Sequence, residues 1–215
     1  MPKNKINQIE PHISLTDKSE INKYFQSGGW ITEHIQNKNF ENKFKKITKS
    51  KFALTFPNGT LTLVGMLMSL DIKAGDEVIV PSYTMVATAN SVKLTGAKVV
   101  FADISEKNLC LCPKSLIQKV TKKTKAVIYV TLNGRSGSID KIKNICNKKN
   151  IYLLEDSAHS IGSYFKKKHH GNFGIAGSFS FSMPKIITTG QGGMVVTNNQ
   201  KIYKKLLKLK NFGRI

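Results

Sequence analysis

The chain has 215 residues, 40% of them hydrophobic, and its 34 basic residues outnumber 13 acidic ones to give a formal net charge of +21. This length and composition support one substantial core, or one large domain and part of a second, and exclude a peptide or a linker. Every apolar run is shorter than a membrane span, and residues 1–14 lack the features of a secretory signal, so we expect a cytoplasmic protein.

The first 50 residues predict a helical arm, because they lie outside any alternation of strands and helices. Helices are predicted over residues 17–26 and 40–48. Trp30, in the segment that joins them, either faces a substrate or anchors the arm on the core, and both interpretations stay open. We therefore divide the chain into an arm, residues 1–50, and an incomplete large domain, residues 51–215.

From residue 51 onward, strand-like and helix-like segments alternate, which predicts an α/β fold with a mostly parallel sheet covered by helices on both faces. The predicted strands cover residues 51–56, 77–82, 97–103, 125–132 and 151–156, followed by two strands within residues 173–182 and 192–198. The predicted helices cover residues 58–70, 84–96, 113–120 and 139–149, and a last one begins near Gln200.

The positive charge by itself suggests nucleic acid or an acidic membrane as a partner. The distribution argues against this, since only Arg135 and Arg214 are arginines and bidentate phosphate recognition favours arginine. The lysine runs at residues 43–51 and 201–210 carry apolar residues at helical spacing, typical of amphipathic surface helices. We expect no specific nucleic acid and no membrane as partners, and a non-catalytic basic binding protein remains the alternative.

The cysteines give no metal prediction. The chain has three cysteines, Cys110, Cys112 and Cys146. Their odd number and the absence of a CxxC motif fit a reducing compartment. Cys110 and Cys112 lack a nearby histidine and make a poor zinc site, whereas the alternation over residues 108–113 favours a strand face.

Lys185 follows a small-polar strand segment and precedes a glycine-rich turn. Its flanks, including Phe179, Phe181, Ile186 and Ile187, are apolar enough to predict a buried segment. A buried ammonium group requires a partner or loses its proton, and a lysine with a lowered pKa forms Schiff bases with carbonyls such as the aldehyde of pyridoxal phosphate. The alternative is a lysine whose stem lies on the core while its amine reaches solvent.

Asp156 ends a predicted buried strand, where open α/β sheets place their ligands. A carboxylate there suits the ring nitrogen of a pyridoxal cofactor, because it holds the pyridinium protonated. A helix cap is the alternative. His159 either reaches the ring's phenolic oxygen or stacks nearby, and a solvent-exposed or core histidine is its alternative.

Asn58, Gly59 and Thr60 lie where a strand gives way to a helix, so their N–H groups and the Thr60 hydroxyl predict an anion site. Ser180, five residues before Lys185, could add a hydroxyl to the same phosphate. Ordinary N-capping by Asn58 is the alternative, and it explains the tripeptide by itself.

Six segments in this order resemble the DegT-like nucleotide-sugar aminotransferases, which are pyridoxal 5'-phosphate enzymes of the aspartate-aminotransferase fold. The segments are NGTLTL, GDEVIVPSYTMVATANSV, AKVVFADI, YLLEDSAHSIGS, GNFGIAGSFSF and PKIITTGQGGMVVTN. The resemblance implies that Lys185 carries the cofactor, Asp156 pairs with the pyridine nitrogen and His159 contacts the ring. It assigns the cofactor phosphate to Gly59, Thr60 and Ser180.

The chain departs from the family pattern at several positions. Met85 takes the place of an aromatic ring that stacks on the cofactor, and a thioether can cover the same face. The family's H-P-x-K is SMPK here, and its Tyr-Gly-Gln turn is Asn-Gly-Arg at residues 133–135. Retention of Lys185 excludes the family's dehydratase branch, in which histidine replaces the lysine.

The resemblance predicts an aminotransferase that moves an amino group from an amino acid, expected to be glutamate, to a nucleotide-linked keto sugar. Its partners are then a nucleotide-sugar and an amino-acid substrate and, at full length, a second subunit of a homodimer. An enzyme acting on a cyclitol or another ketone is the alternative. Relatives continue beyond the segment that matches residues 209–215, so we expect a truncated chain without the small C-terminal domain.

Overall fold

A computed structural model describes residues 12–28 and 35–214, and Trp30 therefore lies outside the described residues. Within these ranges no helix has the length and apolar character needed to cross a membrane. The elements follow in the order α1 (Leu15–Gln26), α2 (Ile35–Thr48), β1 (Phe52–Phe56), α3 (Gly59–Ser69), β2 (Glu77–Pro81), α4 (Val86–Leu94), β3 (Lys98–Ala102), α5 (Pro113–Lys119), β4 (Thr124–Val130), a 3-10 turn (Leu132–Gly134), α6 (Ile139–Lys149), β5 (Tyr152–Asp156), β6 (Tyr164–Phe165), β7 (Lys168–His169), β8 (Ala176–Ser180), β9 (Gly193–Thr197) and α7 (Gln200–Lys210).

A seven-stranded sheet forms the centre of the molecule, in the strand order β1-β9-β8-β5-β4-β2-β3. The strands from β8 to β3 pair in parallel, whereas β9 runs antiparallel to both β1 and β8. The reversal at β9 is possible because the loop between β8 and β9 contains no crossover helix. The predicted mostly parallel α/β sheet is confirmed.

Helices cover both faces of the sheet, and the alternation along β4 shows why. Ala126 and Ile128 point to the cluster that contains apolar residues of α3, α4 and α7. Val127 and Tyr129 point to the opposite cluster, which contains residues of α5 and α6. Since all four side chains are fully buried, β4 has no solvent-facing side, as expected of a central parallel strand.

The two N-terminal helices differ in how they contact the rest of the molecule. Phe44 of α2 is fully buried, and its ring packs edge-on against Phe179 and Phe181, with ring centres 5.0 and 5.5 Å away. By contrast, α1 has no buried residue. The predicted division of the chain at residue 50 stays a prediction, with α2 packed on the core of the larger part.

The segment around the first two cysteines does not form the predicted strand face. It makes only an isolated bridge between Ile104 and Leu111. Leu109 has a left-handed backbone with φ of 58°, which interrupts an extended strand, and Cys110 and Leu111 are both buried instead of alternating. The strand prediction for residues 108–113 was therefore wrong.

A buried carboxylate, Glu155, holds the loop that follows the short β6–β7 hairpin. Its side chain is fully buried and accepts hydrogen bonds from the backbone N–H groups of Gly171, Phe173 and Gly174 at 2.8, 2.5 and 2.8 Å. Three donors compensate the cost of burying this charge. Because Glu155 directly precedes Asp156, the same contacts fix the end of β5.

Replacing Glu155 by glutamine should lower the free energy of unfolding by about 2–4 kcal/mol, because an amide nitrogen would face backbone donors and leave a buried N–H unpaired. Urea denaturation measures the change. Glu20→Gln is the matched control, since Glu20 is 64% exposed and its ion pair with Lys23 should contribute less than about 0.5 kcal/mol. Equal effects of the two substitutions would contradict this account of Glu155.

Candidate active site

A cavity of about 700 Å³ opens where the carboxyl ends of β2, β4 and β5 meet the start of α3 and the loop between β8 and β9. This is the edge at which open α/β sheets bind ligands. The structure brings all of the sequence-predicted site residues together in its wall, namely Gly59, Thr60, Met85, Asp156, His159, Ser180 and Lys185. Their chemical roles are proposals.

Asp156 is the most buried charged group of the cavity, with 6% of its surface exposed. Its Oδ2 atom accepts a hydrogen bond from the Thr88 hydroxyl at 2.9 Å, and its Oδ1 atom accepts one from the Ala158 N–H at 3.2 Å. Burial raises the pKa of Asp156, and these hydrogen bonds oppose that rise together with the charges of His159 and Lys185. No helix begins here, so the helix-cap alternative does not apply.

The second support of Asp156 comes from α4, which sequence reasoning did not connect with the site. Thr88 is fully buried on α4, and its hydroxyl lies 2.9 Å from that of Thr84. Thr84 precedes the first turn of α4, and the sequence carries no local pattern that marks Thr88 as a partner of Asp156. Other cavity-lining residues that the sequence did not single out as site residues include Tyr83, Leu132, Asn133 and Gln191.

Lys185 lies half-buried on the loop between β8 and β9, where its backbone N–H donates to the Ser182 carbonyl oxygen at 3.1 Å. Burial lowers the pKa of Lys185, and the negative charge of Asp156 opposes that effect. Among the described residues, no ion pair within 4.0 Å joins Lys185 to a carboxylate. Its amine is therefore closer to neutrality than that of an ordinary lysine.

The apolar flanks of Lys185 behave differently from the prediction. Phe179 and Phe181 are buried, as expected, but Ile186 is 72% exposed and Ile187 is 41% exposed. The prediction that these two isoleucines bury the segment was wrong, because they follow β8 on a loop that leaves the sheet. The partial burial of Lys185 comes instead from the walls of the cavity.

The start of α3 and the end of β8 approach each other closely at one end of the cavity. A Cβ atom on Gly59 would come within 2.8 Å of the Ser180 Cβ atom, so only glycine permits this approach. Asn58 does cap α3, since its Oδ1 accepts from the Leu61 N–H at 2.9 Å. The first turn of α3 carries no acidic residue, so its partial positive charge is uncompensated and favours an anion.

Met85 and His159 complete the wall. Met85 precedes α4 in an extended conformation, makes no side-chain cap and is 65% exposed. The Nδ1 atom of His159 accepts a hydrogen bond from the Asn133 N–H at 3.4 Å. Burial lowers the pKa of His159, and the nearby charge of Lys185 lowers it further.

In the described ranges, no three His, Cys, Asp or Glu side chains are placed to hold a metal ion.

The DegT/DnrJ/EryC1/StrS aminotransferase family matches residues 11–215. The chain belongs to this family. The GDP-perosamine synthase of Escherichia coli O157:H7 is 38% identical over 207 residues, which are 95% of this chain and 56% of that protein. The chain thus spans about half the length of such relatives.

Two solved structures are similar over the same part of the chain. The aminotransferase from Psychrobacter cryohalolentis has a TM-score of 0.93 at 35% identity, and the match covers 95% of this chain and 52% of the Psychrobacter chain. A GDP-4-keto-6-deoxymannose-3-dehydratase with a trapped PLP-glutamate geminal diamine has a TM-score of 0.91 at 31% identity, and the match covers 97% of this chain and 55% of the dehydratase chain. The predicted family and fold are confirmed, as is pyridoxal phosphate as the cofactor of the family.

Replacing Lys185 by methionine should raise the thermal midpoint of the cofactor-free protein near neutral pH. Because the pKa of Lys185 is lowered in the folded state, the folded protein loses stability as the pH falls from the ordinary lysine pKa of 10.5 to that lowered value. Methionine of similar length removes this loss, so the difference between the proteins should widen as the pH decreases through this window.

Thermal scans at several pH values test this expectation. Lys204→Met is the control, because Lys204 is exposed on α7 and its replacement should not give a pH-dependent gain. A midpoint for Lys185→Met that is equal to or below that of the unchanged protein at every pH would contradict the expected burial cost of Lys185.

Proposed function

We propose that this chain is the cofactor-binding part of an aminotransferase that uses pyridoxal 5'-phosphate to move an amino group from glutamate to a nucleotide-linked keto sugar. The observation that carries the proposal is the convergence of an amine, a buried carboxylate and a helix start without acidic residues in one cavity. The similarity to a GDP-perosamine synthase supports amination of a nucleotide sugar.

The residues present fit the cofactor at each of its polar ends. Asp156 is a buried carboxylate with a raised pKa and, in the described part of the chain, no cation within 4.0 Å. A protonated ring nitrogen would supply the missing positive partner. Gly59, Thr60 and Ser180 would hold the phosphate, since α3 offers N–H groups and Ser180 a hydroxyl.

Lys185 has the chemistry required of the reacting amine. Its lowered pKa favours the neutral form, and in that form the Nζ atom would hold the cofactor through its aldehyde carbon, with the aldehyde oxygen leaving as water. When bound, the cofactor supplies an electron sink for the charge that develops at the α-carbon of the amino acid. As a free amine, the Lys185 Nζ atom would take the proton from that α-carbon and return it.

Overall similarity does not choose between amination and dehydration, because a dehydratase is among the similar structures. Lys185 favours amination, since the dehydratase branch has histidine in its place, as the sequence resemblance implies. Glutamate as donor is supported by the dehydratase structure, which holds a glutamate adduct of the cofactor. The acceptor is a keto sugar in this proposal, with a cyclitol or another ketone as the outcome that would revise it.

The mouth of the cavity supports a second subunit as partner. Tyr83 and Met85 line the cavity and are 56% and 65% exposed. Their chain neighbour Val86 is 60% exposed, and Ile186, which follows the cavity residue Lys185, is 72% exposed. Apolar exposure of this kind is typical of an interaction surface. We propose that a second copy of the protein covers them. Sedimentation that gives a monomer at every concentration, with cofactor present, would refute the dimer.

Trapping with borohydride tests the cofactor bond directly. Incubation with pyridoxal phosphate, reduction and peptide mapping should place the pyridoxyl group predominantly on Lys185, and the protein should show visible absorbance before reduction. Lys185→Ala should lose this absorbance and Lys204→Ala should keep it. Labelling spread evenly over surface lysines, with no loss in Lys185→Ala, would favour the basic binding protein instead.

The donor and acceptor are tested with the loaded protein. Glutamate should yield one equivalent of 2-oxoglutarate per bound cofactor in the absence of an acceptor, as mass spectrometry can show. Adding a nucleotide-linked keto sugar should then give the amino sugar. Turnover with a cyclitol ketone but not with keto sugars would replace the proposed substrate while leaving the cofactor chemistry in place.

Substitutions at Met85 test whether its side chain covers the cofactor ring. Met85→Ala should weaken cofactor binding by about 0.5–1.5 kcal/mol, or about twofold to tenfold in Kd, because a sulfur–aromatic contact is lost. Met85→Tyr should bind the cofactor at least as tightly as methionine, because offset stacking of aromatic rings contributes a similar amount. Absorbance titration measures both, and identical affinities for alanine, methionine and tyrosine would remove Met85 from the site.

A further inference from the structure

The turn at residues 131–134 is fixed against the segment that carries His159. The Thr131 N–H donates to the Asp156 carbonyl oxygen at 3.1 Å, and the hydroxyls of Thr131 and Ser160 lie 2.5 Å apart. Ser160 also donates to the Thr131 carbonyl oxygen at 2.8 Å. Since Thr131 and Ser160 are fully buried, a shift between the two segments would leave buried polar groups unpaired.

The next two residues bring a backbone donor to the histidine ring. Asn133 has a left-handed conformation with φ of 51°, which asparagine tolerates, and its N–H donates to His159 Nδ1 at 3.4 Å. Gly134 packs so closely that an added Cβ atom would lie 2.7 Å from the Ser163 Oγ atom. The group that faces the ring is therefore held by the backbone and cannot rotate away as a side chain can.

Residues behind the turn hold it from the other side. The Tyr129 hydroxyl donates to the Ser136 carbonyl oxygen at 2.8 Å, and the Ser136 hydroxyl lies 2.9 Å from His170 Nε2. Tyr129 and His170 are both fully buried. The Cys110 thiol adds a longer contact of 3.6 Å to the Arg135 carbonyl oxygen. The position of the Asn133 N–H is thus set by the packing of the core.

A ring nitrogen that accepts from an N–H group must present a lone pair, so the proton of a neutral imidazole is then on the other nitrogen. We propose that the Asn133 N–H positions His159 as its Nε2–H tautomer and makes it a neutral hydrogen-bond donor in the cavity. This rests on the proposed function for its acceptor, the phenolic oxygen of the cofactor. A proton on Nδ1 would point at the Asn133 N–H, so that two donors would face each other without an acceptor. In this proposal His159 therefore does not take up a proton at Nδ1, and proton transfer remains with Lys185.

Nitrogen NMR tests the tautomer without cofactor or substrate. In protein labelled with ¹⁵N-histidine, long-range proton–nitrogen correlations distinguish a protonated from an unprotonated ring nitrogen, and His159→Gln identifies the resonances of His159 by their loss. We expect a protonated Nε2 and an unprotonated Nδ1. The reverse pattern, or averaged shifts for both nitrogens, would overturn the proposal.

Variants of the turn test whether the Asn133 N–H is responsible. Asn133→Gly keeps the N–H and the left-handed backbone, so the His159 signals should not change. Gly134→Ala places a methyl group against Ser163 Oγ and should shift the His159 nitrogen signals toward averaged values. If Gly134→Ala does not fold by circular dichroism, Thr131→Val serves instead, since it removes the hydroxyl shared with Ser160. A folded turn variant with unchanged signals would overturn the positioning role.

The outcome is separable from that of the proposed function. Borohydride trapping reports on Lys185 and does not require His159, whereas the NMR signals are read in the cofactor-free protein. Failure of trapping would remove the cofactor proposal and leave the tautomer result intact. Successful trapping with an Nδ1–H histidine would remove only the positioning role of Asn133.

Discussion

The position of Asp156 in the sheet is the constraint on which the site depends. It is the last residue of β5, and it pairs in register with Val130 of β4 on one side and Ser178 of β8 on the other. Because all three strands are parallel, their carboxyl ends meet at one edge, and the segments that leave them start from neighbouring points. The His159 segment, the turn after Val130 and the Lys185 loop therefore surround the same cavity.

Two adjacent carboxylates show how this edge separates stability from function. Glu155 is fully buried and satisfied by three backbone donors, so it fixes the loop behind the sheet. Asp156 points to the opposite face and accepts from one hydroxyl and one N–H, and burial raises its pKa. Because side chains alternate along a strand, Glu155 contacts the backbone donors behind the sheet, whereas Asp156 faces the cavity and, in the described part of the chain, lacks a cationic partner. A buried carboxylate with two donors and, among the described residues, no cation within 4.0 Å costs stability.

Periodicity predicted most elements, but two segments show its limits. The β6–β7 hairpin turns at Lys166 and Lys167, which have φ values of 48° and 62°. Lysine carries none of the Asn-Gly preference that marks such turns, so its sequence gives no hairpin prediction. At Leu109 the backbone also turns left-handed, in a run of alternating apolar residues that predicted a strand. In both places the backbone adopts a left-handed conformation that the local residues do not favour.

The sequence by itself determined most of the strands and helices, the mostly parallel sheet and, through motif resemblance, the family and the site candidates, because these depend on local pattern. The tertiary structure decided which groups share a cavity and what surrounds each of them. Thr88 supports Asp156 and the Asn133 N–H faces His159 across 68 and 26 residues of sequence. No local pattern encodes these contacts, since they follow from strand register and from how α4 and the turn pack against β5. The exposure of Ile186 likewise depends on where the loop leaves the sheet, which hydropathy cannot specify.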